Sequence, residues 1–503
     1  MSEVLERFRN LSGKVFVGGE FRSSKASNRF DVINPATEEQ LGEIADTTMT
    51  EVDDAVDQAN TVKKSWARKS ALERAQMLHD VADKMKRLKP LLAEALTREM
   101  GKTYKESVDE VDWSVHSIRY SAEIGRSDAG RVMGNATQGQ FHYTLKQPYG
   151  VAALILPFNY PLVLLAWEAG AALAAGNAVI VKPSEYTTLS TLLFAEAFNI
   201  LPDGLFQVVS GGGDVGRAMV EHKGTHVVAF TGSVPVGQLV SETCGRLMKP
   251  SLIETSGNDP FIVMPSAPVE LTARAAAFSA YMNCGQICVS AERFFVHQDI
   301  HDEFIEQLAV EAKKIRIGNG LGKVDMGPMV AAKERARYEN TLNRAIEQGA
   351  KVLTGGGRPG GLNTGWFVEP TVLVNCSADM EIFNHESFGP VAPITCVSSF
   401  DEAITLANRS NYGLGANIYT KDLKEAIRAT EEIEAGMVWV NAPLLDNDAG
   451  PFGGTKLSGM GRQLGPEGIE TFRQTKTVMI DPECEPQDFW WFPYADSEMY
   501  PDK

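Results

Sequence analysis

Cysteine is scarce in this chain. Six residues among 503 are too few for a disulfide framework, and a reducing cytoplasm is the expected home. Cys284 and Cys288 stand four apart without a further Cys or His pair at zinc-ligand spacing, so no metal site is expected. Long apolar runs are missing too. No stretch reaches the roughly 18 apolar residues of a membrane helix, and the run near 161–175 is broken by Glu168 and glycines. The opening Met1-Ser2-Glu3-Val4-Leu5-Glu6-Arg7 holds no apolar signal core. Positive charge is in deficit: 48 Lys and Arg against 65 Asp and Glu leave a net charge of -17. That argues against nucleic acid or an anionic membrane as partner. What is present is 44% hydrophobic residues, enough for a large core, in a length of about three domain-sized units. These bounds describe a soluble protein that handles small molecules.

Residues 14–22 read as a hairpin, Val15-Phe16-Val17 and Glu20-Phe21 about a Gly18-Gly19 turn. A helix is expected from Thr50, with Thr50 and Asp53 at capping-box spacing, then further helices over 70–88, 90–99 and 103–126. From Val151 the pattern changes. Short apolar strands at 151–156, 178–181, 206–209, 226–230 and 251–253 alternate with helices, which implies a parallel sheet covered on both faces. A second α/β unit is expected from Asn258, with helices at 301–316 and 331–348. Residues 138–146 alternate like an exposed strand, which invites pairing with another subunit. The end, 485–503, is aromatic, acidic and interrupted by prolines. It is expected to lie as an extended strap that cements an oligomer, or else covers a tunnel mouth.

Ligands bind beyond the carboxyl ends of parallel strands, so the residues there matter most. Cys288 follows Asn283-Cys284-Gly285-Gln286-Ile287, where a Gly-Gln pair lets the backbone approach a ligand. It suits a nucleophile, or is inert filler. Glu254 ends an apolar strand, where desolvation raises a carboxyl toward neutral pH, as a general base or as a satisfied buried acid. Asn159, between Phe158 and Tyr160, could hold an oxyanion or simply form a turn. Gly232-Ser233 at a helix start fits a phosphate, or an ordinary turn. Lys182 and Glu185 could meet a ribose, or pair with each other on the surface. Cys244, Cys376, Cys396 and Cys484 read as packing residues.

The order of these segments carries a resemblance. Pro157-Phe158-Asn159-Tyr160-Pro161, Lys182-Pro183-Ser184-Glu185, Phe230-Thr231-Gly232-Ser233, Glu254-Thr255-Ser256-Gly257, Gly285-Gln286-Ile287-Cys288, Glu386-Ser387-Phe388-Gly389-Pro390 and Pro451-Phe452-Gly453-Gly454 occur in sequence. From about residue 14 to 480 the chain resembles the NAD(P)-dependent aldehyde dehydrogenase superfamily. The resemblance implies an α/β fold of three parts. These are a Rossmann-like parallel-sheet cofactor domain (1–126 and 148–257), an α/β catalytic domain (258–471) and a small β oligomerisation element (127–147 and 472–503). It implies Cys288 as nucleophile, Glu254 as base, Asn159 with the Cys288 N–H as oxyanion holder, and Lys182 near the reaction. NAD, with NADP as the alternative, would meet Leu156, Pro157, Phe158, Lys182, Ser184, Glu185, Gly216, Phe230, Gly232, Ser233, Glu386 and Phe388. Tyr160, Leu164, Trp167 and Ile287 would line the path of a small-molecule aldehyde, in a cytoplasmic homodimer or homotetramer.

Two departures from the family pattern fall at the site. Ser256 places a hydroxyl where Gly is usual, and Gln463 stands where many members have Glu, which puts a second water-assisting carboxylate in question. The loop bearing Asp446, Asn447 and Asp448 would favour a cationic aldehyde if it faced the tunnel; a solvated loop is the expected reading. A CoA-acylating enzyme is the rival, but it would not need Glu254. A silent protein of the same fold would not need Cys288, Glu254 and Asn159 together.

Overall fold

A computed structural model describes residues 2–127, 129–486, 491, 492 and 494. The five apolar segments after residue 150 form the expected parallel strands: Val151–Ile155, Ala178–Lys182, Phe206–Val208, Val227–Thr231 and Ser251–Glu254. Their order in space is fifth, fourth, first, second, third. The connections therefore leave the first strand in opposite directions, and a crevice opens where the first and fourth strands end. The hairpin Lys14–Val17 and Glu20–Ser23 extends one edge and Gly459–Met460 the other, all antiparallel to their neighbours. Gly18 and Gly19 turn the hairpin at φ 66° and 83°, a conformation glycine adopts without a Cβ clash.

The helix Pro161–Ala175 is buried at every position, which explains a sequence apolar on all sides. It lies against Tyr104–Ile124, and the two backbones come close enough that a Cβ on Gly170 would sit 2.8 Å from Ser121 Oγ. Two expectations about this region need correction. The capping box of Met49–Arg68 is Thr48 with Glu51, not Thr50 with Asp53. One helix, Ala71–Met100, runs through Pro90 where two were expected; it is capped by Ser70 and Glu73 and ends at Gly101 with φ 97°. Its buried face, including Leu78, Val81, Leu92 and Leu96, continues on both sides of the proline, so packing outweighs the one lost hydrogen bond. A helix at Glu3–Leu11, which seats Val4, Phe8 and Leu11 in the core, had no counterpart in the sequence reading.

A second sheet of seven strands is parallel except at one edge. Its order is Lys351–Thr354, Thr371–Val374, Val391–Val397, Ala291–His297, Asp259–Val263, Asn417–Tyr419, Trp439–Val440. A separate antiparallel ribbon pairs Arg473–Ile480 with Phe141–Pro148 over eight residue pairs, with Val132–Met133 beside it. The strap expected over 485–503 falls largely outside the described residues; of its aromatics, Trp491, Phe492 and Tyr494 are exposed. Among the described residues no helix is long and apolar enough to cross a membrane, and no cluster of side chains could hold a metal ion.

Candidate active site

Cys288 is presented by an unusual turn. After the helix Val269–Tyr281, Asn283, Cys284 and Gly285 follow one another in the left-handed region, at φ 51°, 58° and 69°. Such residues carry strain that surrounding contacts must hold. The Asn283 N–H donates to Glu106 Oε1 at 2.8 Å, and the Asn283 amide donates to the Asn159 carbonyl at 3.3 Å. Gln286 ties the turn across, from its amide to Asn283 O (3.1 Å) and by accepting from Val330 N–H (3.0 Å). The role expected of Gly285 changes here. Its absent Cβ would lie 2.3 Å from the Gly389 backbone, so the close approach is to the 389–390 turn rather than to a ligand. Cys284 is buried with its sulfur 3.6 Å from Met329 Sδ, and burial holds it as a thiol. It is packing.

Cys288 is partly buried; burial first, and then the Glu254 carboxylate, keep the thiol protonated well above its ordinary range. Glu254 ends its strand beside Thr231, and burial raises it to about 7. The two catalytic candidates come from different sheets, yet their loops touch through backbone: a Cβ on Gly257 would meet Cys288 O at 2.0 Å.

Behind Glu254 lies an array absent from the sequence reading. The Thr231 hydroxyl is 3.4 Å from Glu254 Oε2 and 3.3 Å from Glu168 Oε1, and Gln463 Nε2 donates to Glu168 Oε1 at 2.8 Å. Burial and the neighbouring Glu254 raise Glu168 to about 8. The one available signal was Glu168 itself, a lone carboxyl in an otherwise small and apolar helix. Gln463 holds this acid, and Ser256, the other departure, lines a cavity together with Glu386.

Two cavities meet at the thiol, and Asn159 and Cys288 are the two residues that line both. The first, about 130 Å³, is walled by Tyr160, Leu164, Trp167 and Ile287, joined by Trp113 and Phe452. The second, about 370 Å³, contains Pro157, Phe158, Gly232, Ser233, Glu386 and Phe388, and in addition Thr231, Lys333, Glu334 and Arg337. The last three sit on the helix Ala332–Glu347, for which the sequence offered no site role. Phe388 adopts φ 48°, fixed by Glu292, which accepts the N–H groups of Ser387 and Phe388 at 2.7 Å each.

The other expected cofactor residues stand further along the same crevice. Lys182 donates to Pro183 O at 2.9 Å, Ser184 Oγ donates to Glu185 Oε2 at 3.4 Å, and Gly216 packs on the Lys182 stem. Leu156 is joined to Lys182 by its N–H. The Phe230 ring lies under Gly232, where a Cβ would come within 2.7 Å of it. None of these six lines either cavity.

The loop after 441 departs from expectation. Asp446 faces the first cavity, where burial raises its carboxyl to about 7. Asp448 turns away and accepts from Ser117 Oγ at 2.6 Å; Asn447 is exposed.

The sequence model described as the aldehyde dehydrogenase family matches residues 21–478. Aldehyde dehydrogenase 1A1 of Mesocricetus auratus is 37% identical over 477 residues, covering 93% of this chain and 94% of the relative. The 3,6-anhydro-alpha-L-galactose dehydrogenase of Vibrio sp. (strain EJY3) is 35% identical over 475 residues, covering 93% and 99%. Betaine aldehyde dehydrogenase of Staphylococcus aureus, solved in complex with NAD+, superposes with a TM-score of 0.93 at 32% identity, over 97% of this chain and 98% of that one.

Proposed function

Because the chain belongs to the aldehyde dehydrogenase family, we propose that it oxidises an aldehyde to the carboxylic acid with NAD(P)+ through a covalent intermediate on Cys288. The observation that carries this reading is the meeting of two cavities at Cys288 and Asn159. One is apolar enough for a small carbonyl compound. The other runs to a helix N-terminus.

The residues of the second cavity fit a dinucleotide. Ser233 is the N-cap of Val234–Leu247 and makes no side-chain cap bond, so the N–H groups of Val234 and Val236, on either side of Pro235, are free for a pyrophosphate. Phe158 and Phe388 meet edge to face at 5.8 Å beside Glu386, a wall for a flat ring and its ribose. Bound there, the cofactor supplies the hydride acceptor.

Glu254 takes the thiol proton, and the sulfur attacks the aldehyde carbon. The carbonyl electrons move to oxygen, where the Asn159 side chain and the Cys288 N–H hold the charge. Loss of hydride leaves a thioester. Once Glu254 has released the thiol's proton to solvent, it takes a proton from water, the hydroxide attacks, and the thiolate of Cys288 leaves. Glu254 Oε1 has no hydrogen-bond partner among the described residues, which leaves an acceptor for that water. Glu168, held protonated at neutral pH, leaves the charge of the Glu254–Thr231–Glu168 row on Glu254.

The test is product analysis: NADH and free acid form from an aldehyde without CoA. Dependence on CoA, with a thioester product, would favour the acylating rival. Glu185 adds a cofactor prediction. A 2′-phosphate would meet its carboxylate, and Lys182 is already engaged with Pro183 O. The ratio of kcat/KM is expected to favour NAD+ over NADP+ by about tenfold or more, and a ratio favouring NADP+ overturns the assignment.

We read the first sheet and its helices as the cofactor domain, the second as the catalytic domain, and the ribbon with exposed Phe141, Leu145, Met479 and Ile480 as the surface of a homodimer or homotetramer. All six cysteines are free, which suits a cytoplasmic home.

A further inference from the structure

We infer that the aldehyde carries a positive charge, an ammonium or quaternary ammonium group, and that Asp446 recognises it. This rests on the aldehyde-oxidation reading above and narrows its substrate class. The first cavity has no Lys, Arg or His in its wall, but four carboxylates: Glu106, Asp109, Glu110 and Asp446. Three of them have partners. Glu106 accepts from Asn283 N–H and from Thr103; Glu110 accepts from Lys102 Nζ at 2.5 Å and Leu162 N–H at 2.9 Å; Asp109 pairs with Lys105 at 2.7 Å. Asp446 has neither hydrogen bond nor ion pair with any described residue.

An ionised carboxylate set in an apolar wall without a partner is costly, and a cation brought by the substrate removes that cost. The surrounding rings suit the same guest. Trp113 and Trp167 meet at 5.1 Å between centroids, Trp167 and Phe452 at 5.0 Å, and Tyr160 completes the wall. Aromatic faces attract cations, quaternary ammonium groups included. The protein uses one such face itself: Lys102 Nζ stands 3.6 Å from the Tyr160 centroid. That cation is committed to Glu110 and the Asn159 carbonyl and cannot neutralise Asp446. An anionic aldehyde would meet Asp446 and find no Lys, Arg or His in the wall to pair with, so the same wall rejects it.

The test uses two aldehydes of one shape, trimethylammonioacetaldehyde and its neutral carbon isostere 3,3-dimethylbutanal, with glyceraldehyde as a hydroxyl-bearing third. The wild-type enzyme is expected to favour the cation over its isostere by about tenfold or more in kcat/KM, mainly through KM. Asp446→Asn should collapse that ratio toward one, and Asp446→Glu should restore most of it. Wild-type preference for the neutral isostere or for glyceraldehyde overturns the inference, as does a ratio unchanged in Asp446→Asn. Turnover of the neutral aldehyde alone sinks the charge assignment and leaves aldehyde oxidation standing. No cofactor reduction with any aldehyde sinks both.

Discussion

Replacing Cys288 by Ala is expected to abolish aldehyde-dependent NADH formation while NAD+ still binds. The substitution removes one sulfur at the junction of the two cavities and leaves the second cavity's other walls unchanged. Without the sulfur there is no covalent adduct from which hydride can leave, and the loss should reach about ten-thousandfold or more in kcat. No neighbouring thiol can take over. Cys284 is sealed against Met329, and burial keeps it protonated. Cys284→Ala should therefore retain most activity. Cofactor binding, followed by quenching of protein fluorescence, separates loss of chemistry from loss of fold. Residual turnover in Cys288→Ala removes this residue from the nucleophile role; a comparable loss in Cys284→Ala shows that the other thiol is the nucleophile.

Glu254→Gln is expected to separate the two halves of the reaction. The amide cannot take a proton from water, so hydrolysis of the thioester should slow by about a hundredfold to ten-thousandfold. Rapid mixing should show a burst of about one NADH per site, then a slow steady state. The upward push of Glu254 on the Cys288 thiol adds a second signature. With the carboxylate gone, the burst rate should climb with pH toward the thiol's own titration. In the wild-type enzyme, by contrast, deacylation should fall as pH drops below about 7, where Glu254 takes up its proton. Normal steady-state turnover in the variant would leave Glu254 a structural carboxyl. Loss of the burst with cofactor binding intact would make the thiol, not the water, its principal client.

Much of this site was legible before any fold was known, and the reason is physical. A parallel strand buried on both faces is a continuous apolar run, and the polar residues that follow it stand at the crevice. Five such strands announced where Asn159, Lys182, Ser233 and Glu254 would gather. Long-range pairing was not legible. Glu168 and Gln463 lie 295 residues apart, and nothing local marks them as partners. The direction of Asp446 was lost for the same reason, since a loop's sequence does not say which of its alternating acids turns inward. Pro90 misled because a local rule was overruled by a buried helical face on both sides of it.

The Asn159 carbonyl bears on how the enzyme becomes active. It accepts from Lys102, 57 residues earlier in the chain, and from Asn283, 124 residues later. Lys102 leads into the helix that carries Glu106 and Glu110, and those two acids bind the backbone of the Asn283 turn and of the helix after Asn159. Contacts that close long loops are slow to form, because ordering the intervening chain precedes any reward. Catalytic competence thus depends on long-range contacts that reach Asn159 from both sides of the chain. During refolding it should be regained after the compact sheets are, and under mild denaturant it should be surrendered before they melt.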